Sequence, residues 1–204
     1  YNVCPDIGDI GESLAKHGKR FLNMFSIKLG RPVLAMLAKR VDKVEDLREK
    51  FPGKMAVEEK YDGERIQLHV DGDDVTGFSR RLDNISDQFP DIIKAIKKAA
   101  KRKKLVLDGE IVAYKGSKFQ TFQDLMERRR KYKVKEYAKK TPVALFLFDI
   151  LYENGKSLLS TQYPERRKKL EKSISRTKKV KLAKRKITSD LKEMEDYFRQ
   201  CLKK

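Results

Sequence analysis

Between residues 55 and 70 the chain changes its hydrophobic rhythm. Met55-Ala56-Val57-Glu58-Glu59 reads as a short strand, and beyond it Ile66, Leu68 and Val70 alternate with Gln67 and His69. That period of two predicts a half-buried strand with His69 on its solvent side. The Asp62-Gly63 pair predicts a tight turn between the two strands, which places Lys60 on a strand-turn-strand frame. Residues 71–74, Asp-Gly-Asp-Asp, predict a hairpin turn, with the returning strand over 75–79. Ile92, Ile93, Ile96, Ala99 and Ala100 recur at helical spacing opposite Lys94, Lys97, Lys98 and Lys101, which predicts an amphipathic helix over 91–102. A strand over 105–114 is interrupted by Gly109, a residue that in a strand marks a close approach by a ligand. Residues 142–152 are apolar apart from Asp149, the pattern of a central buried strand.

The remaining pattern is less regular. Ile10, Leu14, Phe21 and Leu22 form a broken stripe that predicts a helix over 9–24, and a shorter helix over 44–51 is closed by Pro52-Gly53. Thr121 and Asp124 have capping-box spacing at the start of another helix. Two more helices are predicted over 163–174 and 190–202, the second striped by Leu191, Met194, Phe198 and Cys201, with one strand over 180–187 between them. Hairpins and helices without a regular strand-helix-strand rhythm predict an α+β domain built on antiparallel sheets flanked by helices.

Charge narrows the partners. Among 204 residues, 49 Lys and Arg against 30 Asp and Glu leave +19, an excess that favours a polyanion, nucleic acid being the commonest. Enrichment of a heat-adapted surface would add both signs together, and here the excess is one-sided. Basic runs at 94–104, 128–140 and 178–186 are the segments able to meet phosphates. Cys4 and Cys201 lack metal or redox spacing, and His17 and His69 are too few for a zinc site. No stretch approaches the roughly 20 apolar residues of a membrane span, and residues 1–20 lack the apolar core of a signal peptide. The expectation is a cytoplasmic protein, nuclear in a eukaryote, without membrane association.

A lysine amine is a nucleophile when deprotonated and aimed, which gives Lys60-Tyr61-Asp62-Gly63-Glu64-Arg65 chemical interest. By itself the tetrad also fits an exposed lysine beside a turn. Downstream come Phe78-Ser79-Arg80, then Leu107-Asp108-Gly109-Glu110-Ile111-Val112, then Phe146-Leu147-Phe148-Asp149-Ile150-Leu151-Tyr152. In this order and spacing the four segments resemble the adenylation (nucleotidyltransferase) domain of ATP-dependent DNA ligases, over about residues 31–204. Residues 1–30 then resemble the end of a preceding helical DNA-binding domain and its linker.

The resemblance implies that Lys60 takes AMP from ATP as a phosphoramidate and passes it to the 5′-phosphate of nicked double-stranded DNA. It implies Glu58 at the adenine edge, Arg65 and Arg80 on ribose and phosphate, Glu110 on a ribose hydroxyl or on Mg²⁺, and Phe148 stacked on adenine. The implied protein is a monomer that uses ATP and Mg²⁺. On the residues alone, Glu58 reads equally as a paired strand residue, Glu110 as an ion-pair partner and Phe148 as a core aromatic. Related RNA ligases and capping guanylyltransferases share Lys-x-Asp-Gly, but Glu64-Arg65 and residues 119–125 favour the DNA enzymes. A non-catalytic nucleic-acid-binding fragment is the alternative from another class. The family pattern continues to a Glu-Gly motif and a lysine-rich strand, whereas the last glycine here is Gly155. The expectation is a C-terminally incomplete domain that binds DNA weakly and does not seal nicks alone.

Overall fold

The computed structural model describes residues 2–20, 25–116, 118–128 and 134–203. Its main sheet has the strand order β3 (Asp74–Ser79), β2 (Glu64–Asp71), β4 (Lys104–Lys115), β6 (Val143–Glu153) and β7 (Lys156–Ser157). All these neighbours are antiparallel; β5 (Lys118–Phe119) adds to β4, and β8 (Val180–Leu182) runs parallel to β6. A separate two-stranded sheet joins β1 (Met55–Glu58) to β9 (Arg185–Thr188). Helices α1 (Ile7–His17), α2 (Asp46–Lys50), α3 (Pro90–Ala99), α4 (Phe122–Met126), α5 (Val134–Lys140), α6 (Tyr163–Ser173) and α7 (Leu191–Leu202) complete the described elements. The architecture is the expected α+β arrangement of antiparallel sheets and flanking helices.

Strand alternation sorts side chains to the two faces of the main sheet. Ile66 and Leu68 of β2, Leu105, Leu107 and Ile111 of β4, and Leu145 and Leu147 of β6 share one face. It is covered by Ile92 and Ile96 of α3, Leu125 of α4 and Leu170 of α6, all fully buried. Each such side chain contributes about 1.5–3 kcal/mol through removal from water. The opposite face carries polar rows. Arg65, Glu110 and Phe146 stand side by side across β2, β4 and β6, and Gln67, Asp108 and Asp149 form the next row.

That second face departs from the sequence reading. Gln67 and His69 are buried, because residues 27–33 lie over them. Gln67 accepts from Val33 N (2.8 Å) and donates to Val33 O (3.2 Å), while Gly30 N donates to His69 Nδ1 (3.1 Å). Ile27 and Val33 pack on Val106 beside them. The alternation is real, but the polar phase meets hydrogen-bonding backbone instead of solvent. His69 is therefore no surface residue.

Other boundaries move for physical reasons. Asp62-Gly63 is not a hairpin turn, because β1 and β2 belong to different sheets. The predicted strand over 180–187 breaks at Ala183-Lys184 into β8 and β9, one serving each sheet. Helix α1 starts at Asp6, whose carboxylate accepts from Asp9 N (3.0 Å), and stops at Gly18 with φ 69°. The rest of its predicted span, residues 21–24, lies outside the described residues. At Gly109 the close approach comes from the adjacent strand: a Cβ there would lie 2.8 Å from Phe146 O, where the β4–β6 register shifts. In the basic run over 128–140, Arg128 is buried in an ion pair with Asp91 (2.6 Å), and residues 129–133 lie outside the described residues. The 71–74 hairpin, the Thr121–Asp124 capping box and the buried strand β6 form as expected. Among the described residues no helix is long and apolar enough to cross a membrane.

Candidate active site

The segment joining the two sheets is fastened residue by residue. Glu59 N donates to Lys184 O (3.1 Å), and Lys184 N donates back to Tyr61 Oη (3.3 Å). The break between β8 and β9 thus supplies both contacts. Tyr61 is buried and stacks on Phe146 with centroids 4.1 Å apart, and Phe119 meets both rings edge-on. Burial, then a hydrogen bond with Glu59, raises the Tyr61 phenol above its ordinary pKa. Asp62 accepts from Phe122 N at the start of α4 (3.2 Å). Gly63 passes so close to β4 that a Cβ would lie 2.1 Å from Ile111 O, a contact no side chain could tolerate. Between these anchors Lys60 is exposed.

Lys60 opens onto a cleft of about 1120 Å³, also lined by Arg65, Arg80, Arg81, Glu64 and Glu110. Met36 and Leu37 form one apolar wall and Phe122 and Met126 another. Arg65 grips buried Asp108 through Nε (3.1 Å) and Nη2 (2.5 Å), donates from Nη1 to Met36 O (3.4 Å), and lies 5.5 Å over the Phe148 ring. Burial drives the Asp108 carboxyl upward, against the opposing pull of Arg65. Glu110 is pushed up to about 7, because burial outweighs Lys60 and Arg65. It therefore exchanges a proton near neutrality, and any cation entering the cleft would favour its ionised form.

Four of the six residues singled out from sequence thus meet in one cleft: Lys60, Arg65, Arg80 and Glu110. Glu58 instead lines a neighbouring cavity of about 770 Å³ between β1, α6 and α7. There its Oε1 accepts from Tyr163 Oη (2.6 Å) and Arg167 Nη1 (3.3 Å). Phe148 is half-buried behind Arg65, packed on the Tyr61–Phe146 cluster. Asp149, opposite Asp108, is held by Arg166 through two bonds of 2.8 Å. Sequence reasoning missed Asp108, Arg81, Tyr163 and Arg166. Arg81 adjoins Arg80 and was legible as a repeated cation; the other three depend on pairing across strands or from α6. Among the described residues no group of three or more His, Cys, Asp or Glu is arranged to hold a metal. Glu110 nevertheless suits a hard cation that takes its remaining oxygens from phosphate and water, as Mg²⁺ does.

Comparison with known proteins bears on the family and the fold. Residues 35–204 match the ATP dependent DNA ligase domain. The chain is 52% identical to DNA ligase 1 of Methanosarcina barkeri, over its whole length and 39% of that protein's. It is 43% identical to a DNA ligase of Nitrosopumilus maritimus, over 99% of this chain and 35% of that one. The chain therefore spans little more than a third of these curated relatives. Among solved structures, the ligase domain of M. tuberculosis LigD superposes with TM-score 0.55 at 24% identity, over 73% of this chain and 46% of that one. A putative ATP-dependent DNA ligase from Aquifex aeolicus superposes with TM-score 0.51 at 20% identity, over 83% and 43%. At these identities the structural likeness speaks for the fold.

Proposed function

Because the chain belongs to the ATP-dependent DNA ligase domain family, we propose that it is the adenylation unit of such an enzyme, with Lys60 as the residue that carries AMP. The observation that carries this reading is Lys60 itself, exposed in a cation-rich cleft between four fixed neighbours. Near-rigid placement of a nucleophile is the main requirement of phosphoryl-type transfer, together with charge neutralisation. The neutral Lys60 amine attacks the α-phosphorus of ATP. The nitrogen–phosphorus bond forms as the bond to the β-phosphate oxygen breaks, pyrophosphate leaves, and the nitrogen of exposed Lys60 gives up one proton to solvent.

In this reading Arg65 and Arg80 face ribose and phosphate, and Phe148, behind Arg65, supplies the ring surface for adenine. Glu58, oriented by Tyr163 and Arg167, reads the adenine edge from the β1 side. Glu110 would hold Mg²⁺ together with phosphate oxygens, and the metal would neutralise charge on the transferred group. The DNA substrate is a nicked duplex whose 5′-phosphate receives the AMP. Residues 31–204 form the adenylation domain and residues 1–30 the end of a helical DNA-binding unit, in a monomeric cytoplasmic enzyme, nuclear in a eukaryote.

Intact-mass measurement after incubation with ATP and Mg²⁺ tests the reading. The expected result is one AMP adduct, acid-labile and mapped to Lys60, absent from Lys60→Ala. An adduct on a different lysine overturns the assignment.

A further inference from the structure

The loop after β3 is built to present two arginines. Ser79 N donates to Asp83 O (2.8 Å) and Leu82 N to Ser79 O (2.9 Å), closing the loop on itself. Ser79 Oγ accepts from Arg81 N (3.1 Å) and Asp83 N (3.3 Å) and donates to Asp83 Oδ2 (3.4 Å). The closure forces Leu82 to φ 71°, a left-handed conformation unfavourable for a side-chain-bearing residue. Leu82 borders a small crevice beside Val33 and Gln67 that Arg80 also lines, while Arg80 and Arg81 both line the cleft of Lys60.

The cations of the cleft differ in their commitments. Arg65 spends its donors on Asp108 and Met36 O. Arg80 and Arg81 are exposed, and among the described residues their guanidiniums have no hydrogen-bond or ion-pair partner. The acidic lining is Glu64, which is buried, and Glu110, which is poised near neutral pH. Two adjacent unspent guanidinium forks beside a nucleophilic lysine suit an anion with several phosphate oxygens.

We propose that Arg81, paired with Arg80, is a binding residue for the polyphosphate tail of the nucleotide, holding the β- and γ-phosphates that depart as pyrophosphate. This rests on the reading of Lys60 as the AMP acceptor. With Lys60 at the α-phosphate and Arg65 fixed beneath the sugar, the loop after β3 supplies the remaining uncommitted cations of the cleft. Exposure suits the task, because the tail must leave once the transfer is done.

Calorimetric titration of the 204-residue chain with tripolyphosphate, ATP, AMP and adenosine tests this, comparing the parent with Arg81→Ala and Arg81→Lys. The expected result is a loss of about tenfold in affinity for tripolyphosphate and ATP in Arg81→Ala, the size of one charge-assisted contact. AMP and adenosine should change by less than about twofold, and Arg81→Lys should recover part of the loss because it keeps charge but not the fork. Should Arg81→Ala lower the melting temperature, Arg81→Gln carries the same comparison. Unchanged tripolyphosphate and ATP affinity in a folded variant overturns the proposal and leaves the adenylation reading standing. Arg81-dependent tripolyphosphate binding in a parent that shows no preference for ATP and no affinity for adenosine overturns the nucleotide reading and retains the anion site. A parent that binds none of the four overturns both.

Discussion

His69 shows how a single residue can mislead a pattern and still report its environment. Burial lowers its pKa to about 4, and Nδ1 must stay unprotonated to accept from Gly30 N. The unfolded chain titrates near about 6.5, so it binds more protons than the fold between the two values. Stability is therefore full above about pH 6.5 and falls as pH drops toward 4, by at most about 3 kcal/mol. Urea unfolding of the parent should weaken over this window more steeply than that of His69→Gln, which keeps an acceptor but does not titrate. Gly63→Ala should cost about 3 kcal/mol, the upper end for overpacking, since its Cβ collides with fixed backbone. Comparing its melting temperature with that of Gly11→Ala, in α1 with open space around it and no left-handed backbone, separates the collision from a general glycine effect. Lys60, Arg65, Arg80 and Glu110 were legible because they sit in short local segments. The partner of Arg65 was not, since Asp108 meets it only once β2 and β4 are in register.

Among the elements, α3, α6, α7 and the long strands followed their periodicity, α5 (Val134–Lys140) formed within what read only as a basic run, and the pattern over 180–187 hid a division of labour. Val180 and Leu182 join the large core, Ala183 packs beside Tyr61, and the strand then leaves for β1. An apolar run reads the same whether it serves one sheet or two. Elements are also tied by charge. Buried Arg128, just beyond α4, binds Asp91 of α3, donates to Thr141 O (3.3 Å) and lies 5.3 Å over Phe89. Burial pushes Asp91 upward, but Arg128 and Lys179 hold it below the usual carboxylate value. Arg128→Met should destabilise the fold by about 1–3 kcal/mol, because half-buried Asp91 is left with Lys179 alone and Thr141 O loses its donor. Denaturant midpoints would show it, and an unchanged midpoint would mean the pair contributes nothing net. From sequence Arg128 belonged to a basic run, and only packing distinguishes a structural arginine from a surface one.

At the scale of the whole molecule, net charge and sheet architecture were both legible, but the assignment of β1 and β9 to one small sheet was not. No local pattern encodes a pairing between residues 55–58 and 185–188. The excess of +19 predicts duplex binding that weakens linearly on a logarithmic salt scale, with a slope of about 0.9 per neutralised phosphate. Competition between duplexes of different sequence should be nearly even, since backbone contacts do not read bases. Gel shifts across a salt series check both, and salt-insensitive binding would count against an electrostatic origin.

The two-sheet construction also sets a hierarchy of opening. The β1–β9 ladder holds four residue pairs, whereas β4 is paired on both sides, by β2 and β6, over residues 105–111. So short a ladder, with no third strand beside it, has few contacts to hold it shut, so its amides should exchange with deuterium through local fluctuations. The β4 amides should exchange only when the entire domain unfolds. Lys60 is strung between these two regimes, one side slow and one side fast. A bound nucleotide that bridges them would slow exchange in the short ladder far more than in the sheet that is already protected.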